Sequence, residues 1–166
     1  PLLFRSQSGS LALAHNGNLV NATELKIQLE QQGSIFQTTS DTEVLAHLTR
    51  RSHAPTLKEQ MKEALTYLEG AFAFLLLTET ELYIALDPYG FRPLSIGRLG
   101  NAYVVASETC AFDVVGATYE REVEPGELII INAEGIHSER FAPKRMRSIC
   151  SMEYIYFARP DSNVDG

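Results

Sequence analysis

The pattern of apolar and polar residues predicts helices in the first part of the chain and strands in the second. A short alternating strand, LALA at residues 11–14, precedes three segments whose apolar residues recur at helical spacing. The first helix lies between Asn21 and Gly33, the second begins at residues 40–43, and the third begins at Thr56. In each helix a Glu follows the capping residue by three positions, which is the capping-box pattern.

Beyond the third helix, short apolar runs alternate with turn residues, which predicts a meander of strands. The runs cover residues 71–77, 81–86, 93–97, 101–107, 117–123, 127–132 and 135–141. A short helix capped by Ser107 is predicted between the fourth and fifth runs. Helices followed by antiparallel strands indicate an α+β fold. Because the run at 71–77 is apolar throughout, we expect stacked sheets with helices outside to cover both faces of its strand.

The strand at residues 11–14 leads directly into His15-Asn16-Gly17-Asn18, and two interpretations of this motif stay open. An isolated Asn-Gly pair is most often a hairpin turn, because both residues tolerate positive φ. Alternatively, the side-chain amide of Asn16 and the backbone N–H of Gly17 form an oxyanion hole. Such a pair of donors holds the negative oxygen of a tetrahedral intermediate.

Composition excludes several classes of protein. The chain has 166 residues, 45% of them hydrophobic and 21% charged, which is enough for one domain with its own core. The net charge of −7 and the pI of about 5.1 leave no basic stripe for nucleic acid. We also expect no membrane segment, because no apolar run approaches about 20 residues. The two widely spaced cysteines indicate free thiols and a cytoplasmic protein.

Other candidate nucleophiles carry weaker signals. Cys110 lies in an apolar segment, which favours a buried core thiol, and Ser107 has no histidine nearby in sequence. The four histidines show no metal-binding spacing such as HExxH. An N-terminal proline acts as a general base in tautomerases, but nothing else in the chain resembles that family. Because the chain starts at Pro1 and runs at once into a strand, we expect a piece of a longer protein.

Seven segments carry a family resemblance: AHNGNLVNATEL, TTSDTEVLAHL, LEGAFAFLLL, LDPYGFRPLSIG, VASETCAFD, EVEPGELIII and CSMEYIYFARPDSNVDG. Together they closely resemble the glutamine phosphoribosylpyrophosphate amidotransferases, in order and over essentially the whole chain. HNG alone is shared by several class II glutamine amidotransferases. DPYGFRPL together with EYIYFARPDS points to this family in particular.

The resemblance implies an N-terminal-nucleophile hydrolase fold, an αββα sandwich, here truncated at its N-terminus. In this family a glutaminase domain releases ammonia from glutamine. A second domain transfers the ammonia to phosphoribosylpyrophosphate, which gives 5-phosphoribosylamine at the first step of purine synthesis. Residues 1–141 are then a partial glutaminase domain, and residues 142–166 are a linker and the start of the phosphoribosyltransferase domain. The family also suggests a homo-oligomer, commonly a tetramer.

The resemblance assigns roles to individual residues. Asn16 and Gly17 match the oxyanion hole of the family, which favours catalysis over a plain turn. Asp41 matches the carboxylate that receives the α-ammonium group of glutamine. A local alternative for Asp41 is a favourable interaction with the helix dipole, and Ser40 as N-cap would hold it in place. We interpret Arg92 as a turn residue that packs between strands, without a catalytic role.

Three further expectations follow from the resemblance. The nucleophile of the family is an N-terminal cysteine whose α-amine is the base, and it would precede Pro1. We therefore expect the fragment to be inactive alone, with unpaired sheet edges. Mg²⁺ belongs to the phosphoribosyl domain, which would follow Gly166. One branch of the family binds a 4Fe–4S cluster through four cysteines, and Cys150 matches one of them, although one thiolate cannot define such a site.

Two other functions remain alternatives. The chain could belong to another class II glutamine amidotransferase, such as glucosamine-6-phosphate synthase or asparagine synthetase, but the EYIYFARPDS segment weighs against this. It could also be a non-catalytic relative that uses the fold for binding. Catalysis is favoured over binding because oxyanion donors serve no purpose without a nucleophile.

Overall fold

A computed structural model describes residues 1–6, 9–143, 145–152, 155 and 158–163. The elements in these ranges are, in chain order, β1 (Leu2–Ser6), β2 (Gly9–Leu19), α1 (Ala22–Gln31), α2 (Thr42–Arg51), α3 (Leu57–Thr66), β3 (Gly70–Leu77), β4 (Leu82–Leu86), β5 (Ser95–Leu99), β6 (Ala102–Ala106), α4 (Cys110–Val115), β7 (Thr118–Glu122), β8 (Glu127–Asn132) and β9 (Gly135–Arg140). The predicted helices and strands are confirmed, with boundaries that shift by a few residues. The strands do not form one meander, because they are divided between two sheets in which β4 pairs with β8 and β5 pairs with β7. No helix in the described ranges is long and apolar enough to span a membrane.

Two antiparallel sheets form the centre of the molecule. The larger sheet has the strand order β1-β2-β3-β4-β8-β9, and the smaller has the order β6-β5-β7. Helices α1, α2 and α3 pack on one face of the larger sheet, and the smaller sheet packs on the other face. Helix α4 contacts β6 and β7. This order of helices, sheet, sheet and helix confirms the predicted α+β sandwich.

Strand β3 explains why the run at 71–77 is apolar throughout. Phe72, Phe74 and Leu76 are fully buried in the core that the larger sheet shares with the helices. Ala73 points the other way, into the core between the two sheets. Successive side chains of a strand face opposite sides, so a strand between two cores needs an apolar residue at nearly every position. The prediction that both faces are covered is confirmed.

The ends of α1 and α3 follow local sequence rules. Gly33 has a φ of +89° just after α1, and its N–H donates to Glu30 while the N–H of Ser34 donates to Leu29. These two bonds are those of a Schellman motif. The Thr56 hydroxyl accepts a hydrogen bond from the N–H of Glu59 at 3.2 Å, so the predicted N-cap of α3 is confirmed.

Three other predicted caps are wrong. Helix α2 begins at Thr42 with Asp41 as its N-cap, not Ser40, although the Ser40 hydroxyl accepts a hydrogen bond from the N–H of Thr42 at 3.3 Å. The Glu43 carboxylate accepts hydrogen bonds from the N–H groups of residues 37 and 38 instead of completing a capping box. The Asn21 side chain makes no cap bond and instead bridges the chain between α3 and β3. Helix α4 starts after Thr109, so Ser107 is not its cap.

The predicted end of the first strand is also wrong. Strand β2 continues to Leu19, and residues 15–18 pair with β3 along their whole length. The Asn-Gly pair therefore does not form a turn. The sequence pattern breaks at His15 because polar side chains begin there, although the backbone remains extended.

The connector after β9 lies against the loop between β4 and β5. The N–H of Ser148 donates to the carbonyl of Tyr89, and the N–H of Cys150 donates to the carbonyl of Phe91. The division of the chain at residue 141 stays a prediction.

Candidate active site

The polar end of β2 presents two different faces. Leu11, Leu13 and Leu19 point into the core beneath the helices, so His15 and Gly17 share their side of the sheet. Asn16 points the other way and lines a cleft of about 340 Å³ between the two sheets and α4. The other residues that line this cleft are His15, Ala14, Ala73, Leu75, Leu94, Val105, Ala106, Ser107, Glu108 and Ala111.

The Asn16 side chain is available for a ligand. Asn16 is exposed at the cleft, and its amide makes no hydrogen bond to any residue in the described ranges. An amide carries two N–H donors and a carbonyl acceptor, so all of these groups can face a bound molecule.

The backbone N–H of Gly17 points away from β3. Hydrogen-bonding directions alternate along an antiparallel strand. The N–H of Val20 donates to the carbonyl of Glu69 on the β3 side, whereas the N–H of Leu19 donates to Asp41 on the opposite side. The N–H of Gly17 therefore points to the same side of β2 as that of Leu19. Among the described residues, β1 pairs with β2 between Gly9 and Leu13.

Position 17 requires glycine for two reasons. The φ of Gly17 is +149°, a conformation that residues with a side chain rarely adopt. A Cβ atom at this position would also lie 2.1 Å from the carbonyl oxygen of Ala71 on β3. Gly70 shows the reciprocal contact, because its Cβ would lie 2.4 Å from the carbonyl oxygen of Asn18. The two strands thus approach closely at the site through a pair of glycines.

Asp41 lies on the same side of β2. Its Oδ2 accepts a hydrogen bond from the N–H of Leu19 at 2.9 Å, and its Oδ1 is 3.4 Å from Nδ1 of His15. The side chain remains 25% exposed, so the carboxylate can also meet a cation from solvent. Gly17 and Leu19 are two residues apart on a strand, which separates their N–H groups by about 7 Å. The structure therefore places Asp41 beside the segment of β2 that carries Gly17, whereas the side chain of Asn16 on the same segment faces the cleft between the sheets.

His15 is the residue of this region that the sequence analysis did not select. Its side chain is only 3% exposed and stacks on Phe74, with ring centroids 4.2 Å apart. Nδ1 is 3.2 Å from the hydroxyl oxygen of Thr42. Burial lowers the pKa of His15, and the charge of Asp41 opposes this shift only in part. The ring is therefore neutral at pH 7. The sequence does indicate that His15 is buried, because its position in the alternating pattern of β2 is on the same face as the inward-facing leucines.

Three further residues that the sequence analysis considered are Cys110, Arg92 and Cys150. Cys110 is 5% exposed at the start of α4, and its thiol lies 3.7 Å from the Glu108 carboxylate. Arg92 is half-buried, and its charge lowers the pKa of His15, which places it near the site. Cys150 is half-buried in the connector. In the described part of the chain, no three His, Cys, Asp or Glu side chains are grouped as metal ligands.

Comparison with known proteins shows extensive similarity. Over the whole chain, the sequence is 75% identical to an amidophosphoribosyltransferase of Bacillus subtilis and 47% identical to one of Staphylococcus aureus. The aligned regions are 35% and 34% of these relatives, so the chain spans about a third of their length.

Solved structures agree with this similarity. The glutamine phosphoribosylpyrophosphate amidotransferase of B. subtilis, in complex with ADP and GMP, superposes with a TM-score of 0.98 at 75% identity. The match covers all of this chain and 37% of that one. A glutamine aminotransferase class-II domain protein of Silicibacter pomeroyi gives a TM-score of 0.59 at 18% identity, over 86% of this chain and 70% of that one. This second likeness shows a shared fold alone.

The family model agrees with the fold and with the relatives. The model of the glutamine amidotransferase domain matches residues 1–114, which include β1 to β6, the three large helices and the whole region around Asn16. The chain belongs to the glutamine amidotransferase domain family.

Proposed function

We propose that the protein containing this chain is an amidophosphoribosyltransferase. It hydrolyses glutamine and transfers the ammonia to phosphoribosylpyrophosphate, which gives 5-phosphoribosylamine in purine synthesis. The 75% identity over the whole chain supports this assignment over other class II amidotransferases. In this proposal residues 1–141 belong to the glutaminase domain, and residues 142–166 lead into the phosphoribosyltransferase domain.

The observation that carries the proposal is the pair of donors on β2. The Asn16 amide faces the cleft without a partner in the described residues, and the Gly17 N–H points away from β3. When a thiolate attacks the side-chain amide carbon of glutamine, a C–S bond forms and the carbonyl oxygen becomes negative. Two preorganised N–H donors stabilise that oxygen, and one donor typically contributes about 2.7–4 kcal/mol. Collapse of the intermediate releases ammonia, and water then hydrolyses the thioester to glutamate.

The thiol in this mechanism comes from outside these residues. The family resemblance supplies it as an N-terminal cysteine. Cys110 does not meet the requirement, because its thiol is buried at the start of α4 and donates toward the Glu108 carboxylate at 3.7 Å. The role of the present chain is therefore to bind glutamine and to stabilise the oxyanion.

Asp41 is proposed as the partner of the substrate α-ammonium. The N–H of Leu19 fixes one carboxylate oxygen, and the exposed fraction of the side chain faces solvent beside β2. An anchored carboxylate discriminates in favour of a positively charged group at this position. The approximate 7 Å between the N–H groups of Leu19 and Gly17 suits a substrate whose charged and reacting ends are separated by a short aliphatic chain.

Two cofactors belong to the proposal without a complete site in this chain. A 4Fe–4S cluster needs four ligands, and Cys150 would supply one thiolate, so three ligands must come from elsewhere. Iron and sulfide analysis of the full-length protein tests this role, and an absence of both would overturn it. Mg²⁺ is assigned to the phosphoribosyl domain, with no ligand from these residues. We also propose a homo-oligomer in the cytoplasm.

The decisive experiment measures glutamate release by the full-length protein, with and without phosphoribosylpyrophosphate. Asn16→Ala should lower kcat by on the order of a hundredfold or more, with far-UV circular dichroism unchanged. Asn101→Ala is the control, because Asn101 is an exposed asparagine in the turn between β5 and β6. Unchanged activity of Asn16→Ala would refute the oxyanion role. A full-length protein without glutaminase activity would instead favour the non-catalytic alternative.

A further inference from the structure

His15 connects the two parts of the candidate site. Its Nδ1 lies 3.4 Å from Oδ1 of Asp41 and 3.2 Å from the Thr42 hydroxyl. On the opposite side of the ring, Nε2 lies 3.0 Å from the position that a Cβ of Gly17 would occupy. A single buried ring therefore lies close to both the Asp41 carboxylate and the position of Gly17 on β2.

The ring itself is held rigidly. It stacks on Phe74 at 4.2 Å with an angle of 20° between the ring planes, and almost none of its side chain is exposed. Phe74 is fully buried in the core beneath the helices. A side chain fixed by packing transmits position to its neighbours more precisely than an exposed one.

The Asp41 carboxylate needs such support. It lies immediately before α2, makes no hydrogen bond to the start of its own helix and is a quarter exposed. Its contacts outside the helix are the N–H of Leu19 at Oδ2 and the ring of His15 at Oδ1. A carboxylate that is held at one oxygen can still rotate about the Cβ–Cγ bond of the side chain. A second contact at the other oxygen removes that freedom.

We propose that His15 is a positioning residue of the glutaminase site, which orients the Asp41 carboxylate toward the α-ammonium group of glutamine. This inference rests on the proposed function and extends it to a residue that does not touch the reacting atoms. Nδ1 faces both the Asp41 carboxylate and the Thr42 hydroxyl, and the tautomer that carries its proton on Nδ1 donates toward Asp41. The charged groups around the ring are Asp41 and Arg92.

A purely structural role for His15 predicts a different result. If His15 only fills space beside Phe74, its replacement weakens the fold and affects every substrate equally. A positioning role acts through the α-ammonium group, so it affects only substrates that carry this group. Glutarate monoamide, which is glutamine without its α-amino group, separates the two cases.

The test uses the full-length protein with His15→Phe, which keeps an aromatic ring for the stack on Phe74 and removes both nitrogens. The KM for glutamine should rise on the order of tenfold with a smaller change in kcat, because a binding contact is lost. The KM for glutarate monoamide should stay unchanged. His137→Phe is the matched control, because His137 is exposed on β9 at the far edge of the larger sheet.

Two conservative variants keep the test valid if His15→Phe does not fold. His15→Asn places an N–H donor near the position of Nδ1 and should restore the KM for glutamine, whereas His15→Gln reaches toward the position of Nε2 and should not. In a double-mutant cycle, His15→Phe should add little to the loss caused by Asp41→Asn.

The outcome that refutes the role of His15 differs from the outcome that refutes the proposed function. Equal losses with both substrates, or additive effects of the His15 and Asp41 variants, would overturn the positioning role while glutaminase activity remains. A protein without measurable glutaminase activity would overturn the proposed function instead.

Discussion

The close approach of β2 and β3 predicts that Gly17→Ala is costly for both stability and activity. The new Cβ would lie 2.1 Å from the carbonyl oxygen of Ala71, whereas real Cβ atoms essentially never come within 3.0 Å of a neighbour. One strand must therefore move by at least about 0.9 Å, and the contacting atom belongs to the backbone, so it cannot rotate away. The φ of +149° adds a second penalty.

The two penalties can be separated with a second glycine. Gly135 has a φ of +124° at the start of β9, and a Cβ there would meet nothing within 4 Å. Gly135→Ala therefore carries only the conformational penalty, of about 1–3 kcal/mol. Gly17→Ala carries a similar penalty and a further 1–3 kcal/mol, roughly, for overpacking. Gly17→Ala should therefore cost about 1–3 kcal/mol more than Gly135→Ala.

The assay is urea denaturation followed by far-UV circular dichroism, with the two variants compared at unchanged slope. In the full-length protein, Gly17→Ala should also lower glutaminase turnover by on the order of a hundredfold, because a shift of about 1 Å misplaces the oxyanion donor. Gly135→Ala should keep full turnover. If the two variants lose the same stability and both stay active, the close contact with Ala71 is not a constraint and the argument fails.

Two further predictions concern stability outside the site. Thr56→Ala removes the hydroxyl that accepts a hydrogen bond from the N–H of Glu59, so the free energy of unfolding should fall by about 1 kcal/mol. Equal stability of the variant and the parent protein would contradict the cap. Hydrogen bonds from Lys58 and Lys62 hold the pKa of Glu139 at about 2, below its usual 4.5. Because the folded pKa is lowered, the stabilisation is complete above pH 4.5 and is lost as the pH falls through about 2. These side chains are about a third exposed, so Glu139→Gln should lower the free energy of unfolding by only about 0.5–1 kcal/mol at pH 7. If the free energies of unfolding of the two proteins change with pH in parallel below pH 4.5, the ion pair is refuted.

Local patterns in the sequence were sufficient for most of the elements. The helices, the individual strands, the Schellman motif at Gly33 and the cap at Thr56 depend on residues within a few positions of each other. The apolar run at 71–77 likewise predicted a strand between two cores, because burial on both faces leaves a direct signature in the sequence. The fold class follows from the order of these elements.

Features that depend on distant residues could be decided only by the tertiary structure. The strand through Asn16 continues because Gly17 pairs with β3, more than 50 residues later, and no local pattern contains that partner. For the same reason, the Asn21 side chain does not cap α1 but forms hydrogen bonds with the backbone of Tyr67 and Glu69. His15 and Asp41 meet only after α1 has folded back over the sheet. The sequence alone determined which elements form, whereas packing decided which polar groups face each other, because a side chain selects its partner by proximity in space.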